Sequence, residues 1–201
     1  MGDTKERIMQ AALELFARRG YEAVSVSDIA GAVNLTKGAL YRHFDSKRAI
    51  LDGILAHMER QDADRAREHA LPEGPAETDE AAYVRATVED IVSFSRAMFR
   101  YWTEDPFAAP FRRLLTLEQY GSLEMARLYQ QYLASGPLCY VTDLFRALGL
   151  SEPARRAVAF YGPMFLLFSV YDGAEDKAAV MALLDEYMEQ AIQELKEETA
   201  C

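Results

Sequence analysis

Residues 24–48 read VSVSDIAGAVNLTKGALYRHFDSKR, and this stretch decides the fold. Ser25 with Asp28 three residues on approximates a capping box, after which Ile29, Ala30 and Val33 give a short helix its apolar face. Asn34 follows where a tight turn wants a left-handed residue, a conformation that Asn tolerates better than most non-glycine residues. Thr36 can cap a third helix, Lys37 to Phe44, with Leu40 and Phe44 facing inward and Lys37, Gly38, Arg42 and His43 outward. Two short helices around a tight turn make a helix-turn-helix.

Upstream of this stretch, Ile8, Ala11, Ala12, Leu15 and Phe16 fall at helical spacing, Asp3 or Thr4 can cap the start, and Gly20 can end a first helix near 4–19. Downstream, Ser46 caps a longer helix with Ile50, Leu51, Ile54, Leu55 and Met58 on one face, turning polar toward Ala70. The segment 71–78, LPEGPAET, holds two prolines and a glycine and is the best boundary in the chain. Beyond it, periodicity predicts helices near 79–101, 106–120, 122–134, 137–148, 152–171 and 177–198, with Gly121, Gly136, Gly149 and Gly173 at their stops. Strand signals are almost absent, the nearest being Val24 to Ser27. The expected fold is therefore all-α with about nine helices. A helix-turn-helix domain would span 1–48, a connector helix 49–70 and a second helical domain 71–201.

The 201 residues are 50% apolar and 27% charged, the composition of a packed globular protein. A net charge of −10 argues against a chain that coats nucleic acid along its whole surface. That charge is uneven: residues 1–60 hold 9 basic and 8 acidic side chains, leaving 13 and 24 for the rest. From Thr36 to Arg48, the cations Lys37, Arg42, Lys47 and Arg48 oppose only Asp45. A basic helix face on a compact support suits the DNA major groove and its phosphate walls, although an ordinary solvated helix has the same composition.

No apolar run reaches the roughly 18 residues of a membrane span, and the start, MGDTKERIMQ, is not that of a signal peptide, so a cytoplasmic protein is expected. Cys139 lies in an apolar helical stretch and reads as a buried structural thiol, with Cys201 as a tail thiol. His43, His57 and His69 are too scattered to ligate a metal with them. Without a GxSxG elbow, P-loop, GxGxxG or HExxH, neither enzyme activity, nor a cofactor, nor a metal is expected.

The run from Ile8 to Leu55 resembles the DNA-binding domain of the TetR family of bacterial transcription regulators, TetR/AcrR type. The resemblance rests on Phe16-Ala-Arg-Arg-Gly20-Tyr21, Asp28-Ile29-Ala30, Lys37-Gly38-Ala39-Leu40-Tyr41-Arg42-His43-Phe44 and Ser46-Lys47, in order and spacing. Asn34 departs from it, standing where the family usually has Gly. The resemblance implies that Ser27, Thr36, Lys37, Tyr41, His43 and Lys47 face double-stranded operator DNA. Among these and their neighbours, Thr36, Tyr41, His43 and Lys47 carry groups suited to phosphate. Ser27, Lys37, Ala39 and Arg42 are better placed for base edges, and Gly38 would let the backbone approach closely.

The resemblance further implies a homodimer joined by the last two helices, with Phe160, Met164, Leu167, Phe168, Leu184, Tyr187 and Met188 expected at the interface. It also implies a second domain that binds a small-molecule effector. Met98, Tyr101, Trp102, Phe107, Phe111, Tyr129, Tyr132 and Tyr140 are the candidate lining, though a plain core uses the same residue types. Pro106 and Pro110 mark a hinge or a simple helix break. Two functions follow: an effector-released repressor on a palindromic operator, or a DNA-bound protein whose second domain docks a protein partner.

Overall fold

The structure is a computed structural model that describes residues 2–68, 83 and 85–199. Within these residues the chain forms ten helices. They are α1 Gly2–Arg19, α2 Val26–Ala32, α3 Lys37–Tyr41, α4 Lys47–Glu68 and α5 Val88–Glu104. After them come α6 Ala108–Glu118, α7 Leu123–Leu133, α8 Ser135–Ala147, α9 Pro153–Gly173 and α10 Lys177–Thr199. The boundary expected at 71–78 and residue Cys201 lie outside the described residues.

Two compact units emerge from the packing. Among the described residues, those up to 62 pack with 105–129, and those between 63 and 104 pack with those from 130 onward. The segment around α6 thus joins the helix-turn-helix unit, although it lies beyond the expected linker. A packing unit collects whatever apolar faces meet, and chain order does not constrain which those are.

In the first unit, Ile8, Ala12, Leu13 and Phe16 of α1, Ile29 of α2, Leu40 of α3 and Ile50 and Ile54 of α4 are all essentially inaccessible to solvent. From α6 and its approach come Phe107, Phe111, Leu114 and Leu115. Phe107 lies against the His57 ring of α4, with ring centroids 4.2 Å apart. In the second unit, α5, α8, α9 and α10 share a core in which Phe99 stacks on Phe168 at 5.1 Å and Phe145 meets Phe160 edge-on at 5.5 Å.

Local chemistry explains several boundaries. The Ser25 side chain accepts from Asp28 N while Asp28 accepts from Ser25 N, a complete capping box for α2. Thr87 and Asp90 repeat that device at the start of α5. Asn34 takes φ 57° in the turn and Gly20 takes φ 82° after α1. The third helix is shorter than expected, ending at Tyr41 instead of Phe44. Arg42 N and His43 N bond back three residues, to Ala39 O and Leu40 O, tightening the chain so that Ser46 can cap α4 through Ala49 N.

Gly136 was expected to stop a helix, but it lies inside α8. A Cβ there would come within 1.9 Å of Gln131 O, so close backbone approach demands the glycine. Helix α9 runs unbroken through Pro163. No helix among the described residues is long and apolar enough to cross a membrane.

Candidate nucleic-acid interface

The helix-turn-helix presents its expected outer face to solvent. Ser27, Thr36, Lys37, Gly38, Tyr41 and Arg42 are exposed, while Ala39, His43 and Lys47 are half-buried. Leu40 and Phe44 turn inward as the spacing requires. The Thr36 hydroxyl accepts from Ala39 N at 3.1 Å to cap α3, which leaves its proton free to donate outward. Lys37 holds its ammonium 5.9 Å from the centroid of the Tyr41 ring, so these two exposed side chains form one feature.

The basic cluster is not uniform, because internal partners claim part of it. Lys47 Nζ donates to Tyr21 O at 2.7 Å and lies 4.2 Å from the Tyr21 ring centroid and 3.8 Å from Glu22. It staples the α1–α2 loop, leaving only part of its donor capacity for phosphate. Arg48 is more fully committed: it meets Glu124 at the start of α7 with two bonds of 2.7 Å and Asp52 with one of 2.8 Å. Those hydrogen bonds raise the Arg48 pKa and hold the Glu124 carboxyl below its ordinary range. Glu118 of α6 accepts from Tyr21 N at 2.8 Å, a second tie onto the same loop. Asp28 is held below the usual carboxylate range, chiefly by the Ser25 hydroxyl and then by Ser25 N, with Arg19 3.6 Å away.

The residues expected to line an effector site fall into different places. Tyr101, Trp102 and Tyr132 come together in the second unit, with centroids 5.3 Å apart for Tyr101 and Trp102 and 6.2 Å for Trp102 and Tyr132. The Arg65 guanidinium lies 3.5 Å over the Tyr101 ring. Tyr140 packs with Tyr83 and Phe94, and burial raises its phenol pKa well above the usual value. Met98 is half-buried on α5. Phe107, Phe111 and Tyr129 belong to the first unit, where Phe107 and Phe111 are core residues.

Two expectations need correction. Phe160, Met164, Leu167, Phe168, Leu184 and Met188 are buried in the subunit's own core, at 6% exposure or less, and so do not lie on an outer face. Tyr187 donates to Ala159 O at 2.7 Å and so ties α10 to α9; burial pushes its phenol up to about 12. The solvent-facing apolar stripe is a different one: Val158, Phe165, Leu166 and Val170 on α9, with Leu183 on α10. Helix α9 and the first half of α10 are apolar around most of their circumference, so periodicity alone could not tell the inner stripe from the outer. Cys139 is likewise exposed and not buried.

Among the described residues no cluster of His, Cys, Asp and Glu could hold a metal ion. Residues 8–54 match the model of bacterial regulatory proteins, tetR family. That stretch is about a quarter of the chain, and over it the chain is similar to that family. One similar protein is the uncharacterized HTH-type transcriptional regulator YerO of Bacillus subtilis (strain 168), 43% identical over 51 residues, 25% of this chain and 18% of the relative. Another is the biofilm operon icaADBC HTH-type negative transcriptional regulator IcaR of Staphylococcus aureus (strain Newman), 44% identical over 48 residues, 24% of this chain and 26% of the relative. The matched stretch thus spans about a quarter or less of these curated relatives. Over nearly its full length the chain shares its all-α fold with a transcriptional regulator from Aquifex aeolicus VF5, at TM-score 0.65 and 19% identity, covering 96% of this chain and 98% of that one.

Proposed function

We propose that this protein is a homodimeric repressor of the TetR family that holds a palindromic operator and releases it when a small, largely apolar or aromatic effector occupies its second domain. The observation that carries the reading is the outer face of α3: Lys37 and Arg42 are exposed and form no ion pair among the described residues, beside the exposed Thr36 and Tyr41. Cations left without carboxylates on a short, supported helix suit phosphate walls and guanine edges. In this reading Ser27, Lys37, Ala39 and Arg42 read bases, Gly38 allows close approach, and Thr36, Tyr41, His43 and Lys47 position the backbone. The 1–48 segment is then the reading head, 49–70 the connector, and 71–201 the effector and dimerisation domain.

The dimer reading is supported by the outer stripe of Val158, Phe165, Leu166, Val170 and Leu183, an apolar face on the last two helices. In a two-fold dimer two copies of α3 would enter successive major grooves of a palindrome. The effector reading rests on Tyr101, Trp102 and Tyr132, whose rings offer apolar faces with a few polar tips. By linkage, an effector that weakens DNA binding must itself bind the DNA-bound protein more weakly by the same factor.

The test is selection of bound duplexes from a random pool by purified protein, repeated with fractionated cell metabolites. A recovered palindrome released by one fraction supports the full reading. A palindrome that no fraction releases moves the second domain to protein docking, and failure to enrich any duplex overturns the DNA reading.

A further inference from the structure

Resting on the DNA-binding reading, the geometry points to Lys5 of α1, outside the helix-turn-helix, as a phosphate-contacting residue on the same DNA surface. Lys5 is exposed, and its ammonium lies 5.5 Å from the centroid of the Phe44 ring. Phe44 directly follows Arg42 and His43 and is only 8% exposed. Its ring is wedged against α4, since a Cβ at Gly53 would come within 3.1 Å of Phe44 Cε1 and 3.0 Å of Met9 Sδ. A rigid aromatic thus holds a cation from the start of α1 beside the end of α3.

Internal partners claim several other cations of the unit. Arg19 faces Asp28, Lys47 is tied to the Tyr21 carbonyl and Glu22, and Arg48 meets Asp52 and Glu124. Lys5, like Lys37 and Arg42, has no ion pair with a carboxylate among the described residues; Lys5 and Lys37 lie instead over aromatic rings. Lys5 also lies in the first turn of α1, where the helix dipole disfavours a cation. Its position therefore gains nothing from its own helix and leaves a positive charge for an outside anion. A DNA phosphate next to those met by α3 supplies one.

Arg7 is an internal control: it is exposed on the same helix, but two residues on it points about 200° away from Lys5. The experiment measures binding of K5Q, K5M, K5R and R7Q against salt, on the selected duplex and on one of random sequence. Loss of one phosphate contact should lower the log–log salt slope by about 0.9 and weaken binding about eightfold at 0.1 M salt. K5Q and K5M should both show this loss, equally on the two duplexes, while K5R and R7Q match the wild type. K5M keeps the apolar stem over Phe44, so a loss shared by both variants reports charge and not packing. An unchanged slope for K5Q and K5M, or an equal change for R7Q, overturns the assignment. Absence of wild-type binding to either duplex instead removes the DNA reading on which it rests.

Discussion

The helix-turn-helix and the last two helices are both amphipathic structures on which the sequence speaks with very different clarity. In the first, the large inward residues are apolar and the outward ones are polar or small, apart from the Tyr41 ring, so one period assigns both faces. Along α9 and α10 the inner stripe of Phe160, Leu167 and Leu184 and the outer stripe of Phe165, Leu166 and Leu183 are equally apolar. Period alone therefore marks two faces without saying which is which. A helix that is hydrophobic all round advertises burial, and only the tertiary packing says against what.

The contrast is sharpest at adjacent positions. Leu184 is fully buried, and L184A should cost about 2–5 kcal/mol of subunit stability by opening a cavity. The denaturant midpoint should fall by the same amount at every protein concentration. A loss that disappears on dilution would return Leu184 to an intersubunit face. Leu166 is 63% exposed, and L166E should leave the subunit folded while weakening self-association by about 2 kcal/mol or more, read by sedimentation equilibrium. A dimer that survives L166E together with V170E would break the assignment of the outer stripe.

Within the helix-turn-helix the effects are smaller and local. Asn34 occupies left-handed space at φ 57°, so N34A should destabilise by about 1 kcal/mol while N34G is neutral or stabilising in urea unfolding. Equal behaviour of the two variants would show that the Asn side chain, not its backbone tolerance, makes the turn. The smallest effect is electrostatic. Asp28 titrates below its ordinary value of 3.8 in the folded state, so it contributes stability that is present above that value and lost as pH falls through the depressed one. D28N should therefore flatten the acid limb of the stability profile and leave it parallel to wild type near neutrality. An unchanged acid limb would deny the capping box that role.

Much of the helix-turn-helix was legible because its signals are short-range. The Ser25–Asp28 box, the Asn34 turn and the Thr36 cap are each set by residues within three or four positions of one another. What the sequence concealed depends on distant partners. Arg48 reads as one more cation of the basic cluster until Glu124 is found 2.7 Å away, 76 residues later in the chain. Lys47 reads as a free ammonium until the Tyr21 carbonyl claims it. Glu118 offers no signal beyond an acidic residue near a helix end, yet it accepts from Tyr21 N.

By itself, the sequence determined the all-α class, the position of the helix-turn-helix, the α3 face that presents Lys37 and Arg42, and most helix ends. Those follow from caps, turn residues and apolar period, all of which are local. Only the tertiary structure decided that α6 packs with the helix-turn-helix unit, that Leu184 is core while Leu183 is surface, and that Lys5 is held by Phe44. Such choices depend on which apolar face meets which and on ion pairs closed across long stretches of chain, information that a single helix's period does not carry.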